Sequence, residues 1–94
     1  MKQGGNFRRK QVVREMDKKK ILIADDEPGV RLTVTRMLER DYTILEAADG
    51  HEAVSIARGE RPALILMDLM MPAMDGYTAC SAIKADPEIK VIPV

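Results

Sequence analysis

Residues 64–76 read Leu-Ile-Leu-Met-Asp-Leu-Met-Met-Pro-Ala-Met-Asp-Gly, an apolar run that ends on the carboxylate of Asp68. A short continuous apolar run bounded by turn residues is typical of a strand buried on both faces, as in a parallel sheet covered by helices. Asp68 then lies at the carboxyl end of the strand, the edge at which open parallel α/β sheets bind ligands. Because Pro72 keeps Met71 extended, we expect a loop before Asp75 caps the next helix.

The same pattern occurs earlier, where the apolar residues 21–24 run directly into Asp25, Asp26 and Glu27. If the two strands are neighbours in one parallel sheet, the carboxylates of Asp25, Asp26 and Asp68 meet at one edge. Such a cluster repels itself, and a hard divalent cation such as Mg²⁺, which prefers carboxylates, waters and phosphate oxygens, removes that penalty. The sequence therefore indicates a magnesium site.

These motifs together resemble the receiver domain of response regulators in two-component signalling, the CheY-like superfamily. Each motif is common alone, and their order and spacing make the resemblance specific over about residues 18–94. The resemblance rests on the acid pair Asp25-Asp26, on Asp49-Gly50, and on the run Asp68-x-x-Met71-Pro72-x-x-Asp75-Gly76.

The resemblance implies that Asp68 accepts a phosphoryl group from a histidine kinase or a phosphotransfer protein. It further implies that Asp26, Asp68 and the backbone carbonyl of Met70 hold Mg²⁺ directly, with Asp25 acting through a water molecule. The cofactor is then Mg²⁺, and the chain is not an enzyme beyond its own phosphoryl transfer.

The alternation of strand and helix patterns predicts right-handed βαβ units and a flavodoxin-like α/β fold, a doubly wound parallel sheet of order 2-1-3-(4), incomplete at the C-terminus. Apolar spacing predicts an inward face on the first helix, with Arg31 on the outer side. We expect Gly59 to end the second helix. The predicted strands cover residues 21–24, 42–47 and 63–68, with a fourth beginning at 91–94, and the predicted helices start at residue 28 and cover about 50–58 and 75 to 84 or 85.

Apolar spacing also predicts which faces of the first and third helices pack against the sheet. In the first helix, the residues at i, i+4, i+7 and i+8 form the inward face. In the third helix, residues at threefold spacing face the sheet. The first set is Val30, Val34, Met37 and Leu38, and the second is Tyr77, Cys80 and Ile83.

Composition places the chain among soluble globular proteins, because 46 % of its 94 residues are hydrophobic and 32 % are charged. No apolar run approaches the ~20 residues that a membrane span needs, so we expect no membrane insertion. The single cysteine, Cys80, excludes an internal disulfide. Together with the absence of a visible secretory signal, it indicates a cytoplasmic location.

The charge is unevenly distributed although its sum is zero. Residues 1–20 carry eight Lys or Arg against two acids, whereas residues 21–94 carry seven against thirteen. Residues 1–17 have little to bury, so we expect a disordered basic extension before a receiver domain at 18–94. Met16 is an alternative start, since residues 16–20 look like the usual opening of a receiver. Nucleic acid would be contacted only through an output domain that the 94 residues do not contain.

Two other functions stay open at this point: a phosphorylation-incompetent interaction module, and a Mg²⁺-dependent phosphohydrolase with an aspartate nucleophile. The hydrolase would want a second acid two residues after Asp68, where this chain has Met70. Receivers also use a Ser or Thr after strand four and a Lys after strand five, and the 94 residues reach neither. We therefore expect Mg²⁺ binding without switching, and self-association through the exposed sheet edge at residues 64–67.

Overall fold

A computed structural model of the chain describes residues 18–71 and 74–94, in which strands and helices alternate. The basic extension predicted for residues 1–17 lies outside the described residues. The elements are β1 (Lys20–Ala24), α1 (Pro28–Leu38), β2 (Thr43–Ala47), α2 (Gly50–Glu60), β3 (Leu64–Met67) and α3 (Gly76–Ala85). None of these helices is long and apolar enough to cross a membrane.

The three strands form one parallel sheet of order β2-β1-β3, as the sequence predicted. The register places Ala24, the last residue of β1, beside Ala47 of β2 and Met67 of β3. The N–H of Asp68 donates to the carbonyl of Ala24 at 2.8 Å, which continues the pairing one residue beyond β3. The strands therefore end level with one another, and the residues that follow β1 and β3 are neighbours.

The main core lies on the sheet face covered by α2 and α3. Leu22 of β1 and Ile65 of β3 are paired in register and have no exposed surface. Ala57 of α2 and Ile83 of α3 are equally inaccessible and belong to the same cluster. Truncating a large aliphatic side chain in such a cluster costs about 2–5 kcal/mol, so this face carries much of the fold's stability.

The opposite sheet face is less well covered. Among the described elements only α1 packs against it, and α1 has no buried residue. Val30 of α1 is 39 % exposed and Leu66 of β3 is 38 % exposed. The prediction that residues 64–68 are buried on both faces is therefore wrong for Leu66. The predicted inward face of the first helix is wrong for Met37, which is largely exposed near the end of that helix.

The orientation of α3 differs from the predicted one. Tyr77 is mostly exposed and Cys80 is only partly buried, whereas Gly76, Ala79 and Ile83 are buried. The helix is thus rotated from the predicted face by less than one residue step of about 100°, and Ile83 is the one residue of that face that is buried as predicted. The cause is Gly76, which lies against the backbone that follows β3 and fixes which side of the helix faces the sheet.

The structure also differs from the prediction at the end of the second helix and at residues 91–94. Helix α2 continues past Gly59 to Glu60, and Arg61 takes the left-handed conformation at its end, with φ of 48°. No strand forms at residues 91–94, yet the carbonyl of Pro93 accepts a hydrogen bond from the N–H of Ile65 at 3.0 Å. Proline has no N–H of its own to continue a ladder, so this segment makes one strand-like contact at the outer edge of β3.

Candidate metal centre

Three carboxylates converge at the carboxyl edge of the sheet. Asp25 and Asp26 follow β1, Asp68 follows β3, and one oxygen from each lies within 4.8 Å of the others. Asp25 and Asp68 are partly buried and Asp26 is exposed. Carboxylates this close repel one another, and an all-oxygen donor set at this spacing suits a hard divalent cation.

Asp25 is fixed by its backbone as well as by its side chain. Its N–H donates to the carbonyl of Ala47 at 3.0 Å, which ties the end of β1 to the end of β2. Its Oδ1 accepts the N–H of Glu27 at 2.9 Å, which closes a turn of the kind that Asp side chains favour. The first acid of the cluster is therefore positioned before any ligand binds.

Asp68 is fixed in the same way. Its own N–H is bonded to β1, and its Oδ1 accepts the N–H of Met70 at 3.0 Å. Within the described residues its other carboxylate oxygen, Oδ2, has no hydrogen-bond partner. Met70 as a whole is 79 % exposed, and its backbone N–H makes the contact with Asp68.

Two glycines allow the close packing around Asp68. The N–H of Gly76 donates to the carbonyl of Leu69 at 3.1 Å, and that of Gly50 donates to the carbonyl of Met74 at 3.0 Å. A Cβ atom on Gly76 would overlap the carbonyl oxygen of Asp68, and one on Gly50 would overlap that of Met74. The sequence motif Asp75-Gly76 thus holds the start of α3 directly against the backbone of the acid cluster.

Arg31 is the residue at this edge that sequence reasoning missed. It was predicted to lie on the outer side of the first helix, but its Nη1 donates to the backbone carbonyl of Asp25 at 2.7 Å. Its Nε donates to Oε1 of Glu46 on β2 at 3.1 Å. The helical spacing of α1 could not show this contact, since both partners lie on other elements.

The surroundings of three side chains, Asp75, Asp86 and Cys80, shift their pKa values. The backbone N–H of Thr78 lowers the pKa of Asp75, which caps α3. The backbone N–H of Glu88, and then Arg58, lower the pKa of Asp86. Burial raises the pKa of the Cys80 thiol, which disfavours the thiolate that a reactive cysteine needs.

Comparison with known proteins identifies the class that this fold and site define. Residues 21–94 match the family model described as the response regulator receiver domain. The probable transcriptional regulator ycf27 of Porphyridium aerugineum is 42 % identical over 78 residues, which cover 82 % of this chain and 32 % of that protein. The response regulator PleD of Caulobacter vibrioides is 42 % identical over 76 residues, which cover 80 % of this chain and 17 % of that protein. The chain therefore belongs to the response regulator receiver domain family.

Solved structures support the same assignment. The N-terminal domain of a response regulator receiver protein from Methanoculleus marisnigri superposes with a TM-score of 0.78 at 38 % identity, covering 81 % of this chain and 63 % of that one. The response regulator TrrA from Thermotoga maritima, solved in complex with Mg²⁺ and BeF, gives a TM-score of 0.70 at 31 % identity, covering 74 % and 62 %. The fold is thus an incomplete flavodoxin-like α/β fold, and the chain spans about a third of the length of its ycf27 relative.

Proposed function

We propose that this chain is a phosphoacceptor module in which Asp68 takes a phosphoryl group from a histidine kinase or a phosphotransfer protein in the presence of Mg²⁺. The observation that carries the proposal is the convergence of Asp25, Asp26 and Asp68 within 4.8 Å. Membership of the receiver family supports the same role for the acid that follows β3. The interaction module with an inactive site is less well supported, because all three carboxylates are present.

The residues at this edge fit a magnesium ion. Asp26 and Asp68 would hold it directly with the backbone carbonyl of Met70, and Asp25 would act through water. When bound, Mg²⁺ offsets the charge between the attacking carboxylate and the incoming phosphoryl group. Mg²⁺ usually keeps several waters and takes only one or two protein carboxylates. The exposure of Asp26 leaves this edge open to those waters.

The protein's part in the transfer is mainly positioning. The N–H of Met70 holds Oδ1 of Asp68 at 3.0 Å, which leaves Oδ2 to attack phosphorus. A bond forms between that oxygen and phosphorus while the phosphorus–nitrogen bond of the donor's phosphohistidine breaks, and the released imidazole takes up a proton from solvent. The product is an aspartyl-phosphate on Asp68, a covalent intermediate typical of carboxylate nucleophiles.

The partners we propose are the phosphodonor protein and a second copy of this chain. In the described part of the sheet β3 is an edge strand, and Leu66 is its exposed apolar residue. Exposed apolar edge strands pair readily with another chain. The hydrolase alternative gains no support, because position 70 carries the exposed Met70 and no acid.

Phosphorylation of the purified chain tests the assignment. The chain is incubated with Mg²⁺ and a small phosphodonor such as phosphoramidate, and trapped peptides are analysed by mass spectrometry. We expect the phosphoryl group on Asp68 and none on Asp68→Asn. Asp75→Asn is the matched control, since it changes a carboxylate that caps α3. Labelling of another residue, or equal labelling of Asp68→Asn, would show that Asp68 is not the acceptor.

A further inference from the structure

The guanidinium of Arg31 links α1 to the end of β1 and to β2. Its Nη1 reaches the backbone carbonyl of Asp25 at 2.7 Å, and its Nε reaches Oε1 of Glu46 at 3.1 Å. The Arg31 side chain is only 17 % exposed, against 45 % for Glu46. A planar guanidinium with fixed N–H directions can serve two acceptors at once, so its orientation is set by both contacts.

The contact with Asp25 is made to the backbone and not to the carboxylate. The carbonyl that Arg31 binds belongs to the peptide group joining Asp25 to Asp26, so its orientation sets the position from which the Asp26 side chain starts. The N–H of Asp25 is bonded at the same time to the carbonyl of Ala47 at 3.0 Å. Asp25 is therefore held on both sides of its Cα atom, by β2 and by Arg31.

We infer that Arg31 is a positioning residue, held in place by Glu46, which orients the peptide between Asp25 and Asp26 and thereby raises the affinity of the acid cluster for a divalent cation. This inference rests on the proposed function only in taking Mg²⁺ as the ligand. The positioning itself is a property of the metal-free chain and has its own measurement.

The sign of the effect separates positioning from simple electrostatics. A cationic guanidinium beside a cation site repels the metal, so removing its charge alone should tighten Mg²⁺ binding. Loss of positioning should weaken Mg²⁺ binding instead. Arg31→Lys keeps the charge but offers one ammonium group in place of a fork, so it isolates the geometric contribution.

Mg²⁺ titration by calorimetry, at an ionic strength near 0.15 M where charges more than ~8 Å apart are largely screened, gives the first test. We expect Arg31→Lys and Arg31→Met each to weaken binding by about tenfold, the lower end of the range for residues that orient metal ligands. Glu46→Gln should have a smaller effect, because the contact with Asp25 remains. Lys20→Met is the matched control, since it breaks the exposed pair between Lys20 and Glu60 at the far end of β1.

Amide hydrogen exchange of the metal-free chain gives the second test. We expect faster exchange at the N–H groups of Asp25 and Glu27 in Arg31→Met and unchanged exchange there in Lys20→Met. Thermal melting identifies any variant that fails to fold. If Arg31→Met is such a variant, the Mg²⁺ affinities of Arg31→Lys and Glu46→Gln test the positioning role of Arg31.

The outcomes distinguish this inference from the proposed function. If the unmodified chain fails to bind Mg²⁺, both the proposed metal site and the role of Arg31 in metal affinity are wrong. If the unmodified chain binds and Arg31→Lys binds equally well, only the role of Arg31 is wrong. Tighter binding by Arg31→Met with no change in Arg31→Lys would assign the effect to charge and overturn positioning.

Discussion

The N–H of Met70 donates to Oδ1 of Asp68 at 3.0 Å, so the backbone two residues after the proposed phosphoacceptor holds its carboxylate in place. The same short segment supplies the Met70 carbonyl that we propose as a metal ligand. Orientation of the proposed nucleophile and placement of the proposed ligand thus depend on one peptide segment, and we expect the identity of the side chain at position 70 to matter little to either.

This arrangement predicts that Met70→Ala retains Mg²⁺ binding, because the replaced side chain is exposed and the carbonyl is unchanged. Met70→Pro removes the N–H that holds Asp68 and should weaken binding. Asp26→Asn removes a proposed ligand and should weaken binding by at least about tenfold. Calorimetric titration of the three variants measures all three effects. A loss of affinity in Met70→Ala as large as that in Asp26→Asn would contradict the backbone role of Met70.

Substitution by alanine should change the free energy of unfolding in opposite directions at Gly76 and at Gly59. Gly76→Ala places a Cβ atom against the backbone of Asp68, and we expect a loss of about 1–3 kcal/mol in the free energy of unfolding. Gly59→Ala adds a methyl group in open space inside α2, and we expect a gain of about 0.5–1 kcal/mol. Urea unfolding followed by circular dichroism measures both changes, and similar values for the two variants would refute the packing role assigned to Gly76.

The Asp75 cap should make the stability of α3 depend on pH. The N–H of Thr78, which the carboxylate accepts at 2.7 Å, lowers the pKa of Asp75 in the folded chain. Because the folded pKa is the lower one, the carboxylate stabilises the fold above the unfolded value of about 3.9, and this contribution is lost as pH falls through the folded pKa.

Asp75→Asn tests this dependence, since asparagine keeps a capping oxygen but has no charge. Melting curves should show the unmodified chain to be more stable than Asp75→Asn at neutral pH, with the difference closing in acid. The contribution of Asp86 to the pH dependence is present in the unmodified chain and in Asp75→Asn, so it cancels in the difference between them. A difference that stays constant from neutral pH down to about pH 2, well below the ordinary Asp pKa, would show that the charge of Asp75 is not involved.

The parts of the fold that the sequence predicted are those governed by chain-local patterns. The apolar residues 21–24 are buried on both faces in β1, as a continuous apolar run indicates. The strand order followed from the handedness of βαβ units, and the proximity of Asp25 to Asp68 followed from that order. Asp75 caps α3 as its position before a helical pattern indicated.

The parts that the sequence did not predict depend on contacts between distant elements. The rotation of α3 that exposes Tyr77 follows from the approach of Gly76 to the backbone after β3, which periodicity along one helix does not contain. The spacing within α1 predicts that Arg31 is a surface residue. Its contacts with Glu46 and with the Asp25 carbonyl depend on how α1 lies against β1 and β2. The apolar run predicts that Leu66 is buried. Its exposure depends on how much of its face of the sheet α1 covers.

That partly covered face leads to the last prediction, concentration-dependent self-association. Val30 of α1 and Leu66 of β3 line an apolar groove of about 250 Å³ that ends beside Asp68. A second copy could cover the groove and the β3 edge together, and a lysine on an edge strand opposes such pairing. We expect sedimentation velocity to show association of the unmodified chain that Leu66→Lys abolishes. Leu32→Lys is the control, because Leu32 is half-exposed on α1 and does not line the groove. A chain that stays monomeric at every concentration, or equal effects of the two lysines, would rule out this edge as the contact between copies.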